Sequence, residues 1–287
     1  MKRNYYCLIS SLPDWKLDDR KPLMNSLLFK EMLDEELHPA DFKYVLWLYL
    51  PFDHANILNR LYKKESAFDE RGKYSIEMVE HITNGINVAN DPSLGVEPYL
   101  EDFILRFFDA DEKPARVEAE KELATGWYAM LKESNNDFLI QYADFEQQSR
   151  NVFTALLGRK FDIPVANSLV GEHDMVEALK KSRARDFGLS GEIGHLDQLL
   201  QIFEMTNLQE REMRLDILRW NFYEEVTFFH YFSVEKILAF VLKLFVVERW
   251  SALDEKRGRE LFEKLIAELQ NSYDFPEEFK FSHGKKR

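Results

Sequence analysis

The chain has 287 residues and a formal net charge of −13, with 45% hydrophobic, 14% aromatic and 31% charged residues. This composition excludes disorder over most of the chain, because so many large apolar side chains bury surface on folding. The acidic balance argues against a general nucleic-acid binder, which needs a basic face for phosphate contacts. The single cysteine, Cys7, excludes an internal disulfide framework and a cysteine-based zinc site.

The chain contains only 11 glycines and 9 prolines, and its apolar residues recur at helical spacing, so we predict an all-α protein. In chain order, the predicted helices of the first half cover about 23–37, 41–50, 53–62, 75–82, 98–108, 114–131 and 137–157. Pro39 and Pro51 should end the first two helices. Asp53 and Ser75 should cap the third and fourth, and Gly158 should end the seventh.

In the second half, helices are predicted at about 175–185 and 196–203, over roughly 207–247 as one or two long helices, and from Asp254 onward. An aromatic run within 207–247 covers every side of a helix, which favours a buried helix there: Phe222, Phe228, Phe229, Tyr231 and Phe232. An exposed part of this run would be a docking patch. Residues 5–9 suggest a short strand, and the polar, basic tail 280–287 should fray.

No segment predicts a signal peptide or a transmembrane helix. The longest apolar run, residues 44–52, is too short and contains Pro51, and the next candidate, 237–247, is interrupted by Lys243. We therefore expect no direct membrane insertion. If the protein works at a membrane, another subunit must hold it there.

A weak internal repeat runs through the chain at an offset of about 96 residues. Asp41-Phe42 matches Asp137-Phe138, residues 57–64 match 153–160, residues 78–80 match 175–177, and the apolar stripe 100–107 matches 196–203. A fainter third copy lies near 233–245. Chance similarity between amphipathic helices is the alternative explanation. A true repeat implies three lobes: one at about 41–135, a second at about 136–215, and a composite third from 1–40 and 216–287.

Few residues suggest catalysis or metal binding. Glu35 with His38 and Glu192 with His195 have the Glu-x-x-His spacing of di-iron bundles. However, His38 precedes Pro39, His195 follows a glycine, and no partner carboxylates stand out among so many glutamates. A helical metalloenzyme therefore stays a minor alternative, and we predict neither catalytic residues nor a cofactor.

The chain resembles known rotary ATPase proteins in two ways. The C subunit of A/V-type ATPases, called d in eukaryotes, is a helical funnel of three similar lobes, each with an Asn-containing helical run. Three segments of this chain are similar to that run: 53–58 (DHANIL), 150–160 (RNVFTALLGRK) and 235–238 (EKIL). The third segment lacks the Asn and the Arg. The whole chain more closely resembles an uncharacterised bacterial family encoded among V-type ATPase subunits. That resemblance is carried by residues 5–13 (YYCLISSLP), 17–19 (LDD) and 49–56 (YLPFDHAN).

The resemblance implies a funnel-like, pseudo-three-fold helical body and a non-catalytic role. Such a protein would couple the central stalk of the ATPase to the membrane rotor ring, and would be cytoplasmic and peripheral to the inner membrane through those partners. We expect partner contacts on helices with broad aromatic exposure, near Trp47, Trp127, Trp220 and Phe229, although core packing is the simpler role for each. A helical scaffold or regulator unrelated to the ATPase is the alternative function.

Overall fold

The structure is a computed structural model that describes residues 3–13, 24–84 and 95–272, with side chains described as far as Leu253. Within these ranges the chain forms eleven α-helices and no strand, so the prediction of an all-α fold is confirmed. The helices are α1 Tyr6–Ser11, α2 Ser26–Glu36, α3 Pro39–Leu61, α4 Ile76–Thr83, α5 Pro98–Asp109, α6 Arg116–Lys132, α7 Asp137–Phe161, α8 Asp174–Lys181, α9 Leu196–Phe203, α10 Leu208–Val226 and α11 Val234–Ser272.

Several predicted signals lie outside the described residues. They are the LDD motif at 17–19, the start of the helix predicted from Leu23, the apolar side chains expected after Asp254, and the tail 280–287. The predicted strand at 5–9 was wrong, because these residues lead into and form most of helix α1.

Helix α3 runs without interruption through Pro51, where the sequence predicted a break between two helices. Pro39 likewise begins this helix at its first position, after His38 as the cap. Pro51 has no N–H to donate to the carbonyl of Trp47, four residues earlier. That carbonyl instead accepts a hydrogen bond from the indole N–H of Trp127 on α6, at 2.8 Å. A tertiary contact thus replaces the missing helical bond.

Helix α7 also extends beyond its predicted end at Gly158. It continues to Phe161 and ends at Asp162, which has a left-handed backbone with φ of 53°. Gly158 serves packing instead, since a Cβ there would lie 2.5 Å from Cγ1 of Val165 in the returning loop. By contrast, the Ser75 cap and the start of α5 at Pro98 were predicted correctly.

The long aromatic region is two helices, α10 and α11, separated by a loop at 227–233. Helix α11 has 39 residues and passes through Asp254, where a separate helix was predicted to start. At 1.5 Å per residue it is about 58 Å long. Its first turns, including Ile237, Val241 and Leu244, are fully buried.

Two hydrophobic cores hold the helices together. The larger core combines residues of α1 to α6 with the first turns of α7 and with α11, and it includes Phe29, Tyr49 and Phe138. The smaller core joins the later turns of α7 to α8, α9 and the middle of α10. Helix α7 is therefore shared, with one end in each core.

The order of helix lengths recurs along the chain. A long helix, two shorter ones and another long helix form α3 to α6, and the same order forms α7 to α10. The first three helices of the second set each begin 98 residues after their counterparts, and α11 begins 97 residues after α7. Whether these sets superpose as lobes stays a prediction.

The three long helices α3, α7 and α11 begin at the same end of the molecule. A cavity of about 300 Å³ there is lined by Asp41 from α3, Asn136 at the cap of α7, and Ser233 and Glu235 at the start of α11. The Asn136 amide donates to Glu235 Oε1 at 3.4 Å. Each helix carries an acidic residue in its first turn, which stabilises the positive end of its dipole.

Candidate interaction surface

The α10–α11 loop exposes a group of aromatic side chains. Residues 226–233 (VTFFHYFS) contain no Asp, Glu, Lys or Arg. Five aromatic residues form what we call the aromatic patch. Their solvent-exposed fractions are 55% for Tyr6, 64% for Phe228, 80% for Phe229, 63% for Tyr231 and 36% for Phe232. Tyr6 belongs to the patch because its ring lies 4.6 Å from that of Phe232. Exposed apolar groups of this kind are typical of interaction sites.

Hydrogen bonds hold the loop in place. The Thr227 hydroxyl donates to the carbonyl of Tyr223 at 2.6 Å, which anchors the loop to the last turn of α10. The backbone N–H of His230 donates to the carbonyl of Thr227 at 2.9 Å, and that of Tyr5 donates to the carbonyl of Phe232 at 2.7 Å. The rings are thus presented by a fixed backbone, which lowers the entropy lost on binding.

The charged groups beside the patch are mostly neutralised within the protein. Arg3 pairs with Asp41, and Lys236 and Lys243 pair with Glu224. Glu235 is buried and bonded to Ser233 and Asn136. The exposed carboxylate of Glu225, three residues before Phe228, makes no ion pair within the described residues. The border of the patch therefore carries an exposed negative charge at Glu225.

Tyr5 closes the buried side of this surface. Its hydroxyl donates to Asp41 Oδ2 at 2.5 Å, and burial together with this bond raises the pKa of Tyr5 to about 12. The phenol therefore stays protonated and links the N-terminal residues to the start of α3 at neutral pH.

Trp47 and Trp127 do not present a surface to any partner in this conformation. Both are buried in the larger core. The Trp47 indole donates to Glu97 at 3.2 Å, and the Trp127 indole donates to the Trp47 carbonyl. The expectation that these two residues lie on helices with broad aromatic exposure was wrong. Both side chains are buried, and both indole N–H groups donate hydrogen bonds within the core.

Trp220 and Phe229 are placed differently. Trp220 is half-buried, with the Lys243 ammonium 4.8 Å from the centre of its ring. Phe229 is the most exposed of the four residues predicted for partner contact. The structure thus leaves one of the four fully available on the surface.

The sequence prediction missed the remainder of the patch. Phe228, Tyr231 and Phe232 were expected in a buried helix, yet α10 ends at Val226 and the loop exposes them. Phe222, still on α10, does pack inward, with its ring stacked 4.1 Å from Phe145. The sequence signal for this exposed loop was the run 226–233, which has no charged residue and begins at the last residue of α10.

The two histidines considered as metal ligands are engaged elsewhere. His38 caps α3 through Nδ1 and contacts Arg3 through Nε2. His195 lies against Phe145 and 3.0 Å from the hydroxyl of Ser149, and burial lowers its pKa to about 4. No group of three or more His, Cys, Asp or Glu side chains in the described ranges could hold a metal ion.

A buried carboxylate on α10 joins three helices. Asp216 is 1% exposed and accepts hydrogen bonds from Arg219 at 3.0 Å, from Trp250 at 2.7 Å, and from Arg249. Arg219 also donates to Glu146 of α7 at 2.9 Å. This network fixes the middle of α11 against α10 and α7.

A second buried carboxylate, Asp53 on α3, holds the loop before α4. It is fully buried and accepts the backbone N–H groups of Lys73 at 2.7 Å and Tyr74 at 3.0 Å. Burial raises its pKa from 3.8 to about 6, although both hydrogen bonds and the charges of Lys30 and Lys73 oppose the rise. Gly72 is required beside it, since a Cβ there would lie 2.3 Å from Asp53 Oδ1.

None of the described helices is both long and apolar enough to cross a bilayer. A comparison with protein families matches residues 1–273 to the family described as "Protein of unknown function (DUF2764)". The chain belongs to this family. Searches of curated proteins and of solved structures gave no match. In this DUF2764 member, the aromatic patch is an exposed surface of the composition typical of interaction sites.

Proposed function

We propose that this DUF2764 protein is a non-catalytic subunit or accessory protein of a V-type rotary ATPase. In this role it couples the soluble central stalk to the membrane rotor ring. The sequence resemblance at residues 5–13 and 49–56 supports the proposal. The observation that carries it is the repeated order of α3–α6 and α7–α10, which a body of similar helical lobes requires.

The mechanical properties of the fold suit a coupling role. A part that transmits torque must resist bending and must not let its helices slide. Helix α11 is about 58 Å long, and the Asp216 network ties its middle to two other helices. The shared start of α3, α7 and α11 fixes their relative positions at one end.

The location of the protein follows from the same proposal. It would lie at the cytoplasmic side of the inner membrane, held there by the stalk and ring subunits. Its binding energy would come from protein surfaces such as the aromatic patch.

Co-purification tests the proposal. The full chain, tagged at its C-terminus, is isolated from its native cells in mild detergent, and the bound proteins are identified and quantified. We expect stalk and ring subunits in a fixed ratio to the tagged chain, and not with a tagged acidic helical control protein. Absence of both kinds of subunit would refute the proposal and favour a free-standing helical scaffold or regulator.

A structural test is independent of the partners. In an experimental structure, residues 41–108 should overlay on residues 137–203 helix by helix. A failure of the helices to overlay would remove the repeat that supports the coupling role.

A further inference from the structure

We propose that the aromatic patch is the surface through which this protein docks onto its partner subunit, and that the partner presents an apolar socket bordered by Lys and Arg. This inference rests on the proposed function, because it takes a protein subunit of the ATPase as the occupant. It adds the contact surface and the chemistry of the surface that receives it.

The first argument is the concentration of exposed rings. Among the other large exposed apolar residues, Leu157, Phe161 and Ile163 lie near one another at the end of α7, and the rest lie singly or in pairs on other elements, such as Leu28 on α2 and Leu208 on α10. The patch instead collects five aromatic side chains from one loop and the adjoining α1. Aromatic residues are enriched at protein interfaces, where they bury large areas with little loss of side-chain entropy.

The second argument is preorganisation. A binding loop that is already held in one conformation loses less entropy when a partner binds. This loop has anchors at both ends, from Thr227 to α10 and from Tyr5 to Phe232. Phe228 and Phe229 also pack edge-to-face, with ring centres 4.9 Å apart. The rings therefore form a fixed shape that a socket can match.

The third argument is charge, and it selects a protein over a lipid surface. The nearby cations Arg3, Lys236 and Lys243 are each paired within the protein. The carboxylate of Glu225, at the border of the patch beside Phe228, remains exposed without an ion pair in the described ranges, and the chain as a whole carries −13. An anionic bilayer would repel this border, whereas Lys and Arg around a socket would attract it and orient the docking.

The test measures binding of the full chain to purified stalk subunits and to the purified ring in separate arms. The double variant Phe228→Ser with Phe229→Ser should bind its partner at least about tenfold more weakly, because two central rings are lost. Both residues are exposed, so the fold should be retained, and circular dichroism and thermal unfolding check this. Phe161→Ser is the matched control, since Phe161 is 59% exposed at the far end of α7.

Charge reversal tests the border. Glu225→Lys should weaken binding a few-fold, mainly through slower association, and the loss should shrink as salt is raised. Glu112→Lys, an exposed carboxylate in the α5–α6 connection, is the control and should bind as the wild type does.

The outcomes separate this inference from the proposed function. If the wild type binds a subunit and the patch variant binds equally well, the docking surface is wrong and the coupling role stands. If the wild type binds neither stalk nor ring, both are wrong. Patch-dependent binding to phosphatidylcholine or phosphatidylglycerol vesicles, or patch-dependent self-association in sedimentation, would overturn the inference in favour of lipid or a second copy.

Discussion

Asn56 and Asn151 make the same pair of hydrogen bonds in two different parts of the chain. The Asn56 amide donates to the carbonyl of Asp69 and accepts its N–H, both at 2.9 Å. The Asn151 amide does the same with Val170, both at 2.8 Å. Each asparagine lies on a long helix, and each bound residue lies in the loop before the next short helix. The two sites thus show one structural solution used twice.

Removal of this amide should destabilise the protein. Asn151 is fully buried, and Asn151→Ala removes the acceptor of the Val170 N–H, while the Val170 carbonyl keeps its bond from the Gln147 amide at 3.1 Å. We expect a loss of about 2 kcal/mol of unfolding free energy. Urea unfolding measures it. Asn167→Ala is the control, since Asn167 is exposed with a single bond to Glu118, and should cost less than about 0.5 kcal/mol. Equal losses in both variants would contradict the assigned role.

The Asp216 network should be a stability determinant of α11. Asp216→Asn keeps the shape but removes the charge that faces Arg219 and Arg249, so we expect a loss of about 3 kcal/mol. Thermal and urea unfolding provide the measurement. Glu212→Gln removes an exposed carboxylate 4.0 Å from the same Arg249, and it should change stability little. A similarly small effect of Asp216→Asn would show that the network does not hold the helix.

Trp127 and Pro51 should be energetically coupled. Trp127→Phe removes the indole that donates to the Trp47 carbonyl, which Pro51 leaves without its helical bond. In a Pro51→Ala background the new N–H can serve that carbonyl. The same Trp127→Phe change should then cost about 1 kcal/mol less than in the wild type. A double-mutant cycle by urea unfolding gives this difference directly, and strict additivity would exclude the coupling.

Asp53 should make stability depend on pH. Its folded-state pKa of about 6 lies above the ordinary value of 3.8, so the folded chain holds this proton more tightly than the unfolded chain does. The contribution of Asp53 to stability is therefore fully present below pH 4 and is lost as the pH rises through 6, by about 3 kcal/mol at most. The stability of the wild type minus that of Asp53→Asn should fall between pH 4 and pH 6.

Asp69 provides the control for this measurement. Burial opposes its ionisation, but the hydrogen bonds and the charge of Arg71 outweigh burial and lower the pKa of Asp69. Its contribution should therefore be lost only below pH 4, and the difference between wild type and Asp69→Asn should be flat from pH 4 to pH 6. A flat profile for Asp53→Asn as well would show that this carboxyl does not titrate in the window.

The sequence predicted the helices well where local signals agree with the tertiary structure. Ser75 caps α4 and Pro98 begins α5, because both residues act on backbone groups within one turn of their position. Residues 53–58 and 150–160, which both resemble the Asn-containing run of the C subunit, contain the two asparagines that make the same hydrogen bonds. Their hydrogen-bond partners could not be predicted, because each lies at least 13 residues away along the chain.

The wrong predictions share a physical cause. Pro51 and Gly158 are helix breakers by local propensity, but the Trp127 indole compensates the first and the close approach of Val165 requires the second. The aromatic residues at 228–232 were expected in a core because apolar character normally implies burial. An exposed aromatic surface has the same composition as a core, so composition alone could not distinguish them.

The aromatic patch has a consequence for any copy of the chain that finds no partner. If the patch docks as proposed, an unassembled copy would leave these rings open to chaperones and proteases, and assembly would hide them. The amount of this protein would then follow the amount of its partner without any dedicated control of synthesis. In cells that lack the partner, the Phe228→Ser, Phe229→Ser variant should outlive the wild type, and equal lifetimes would argue against this mechanism of abundance control.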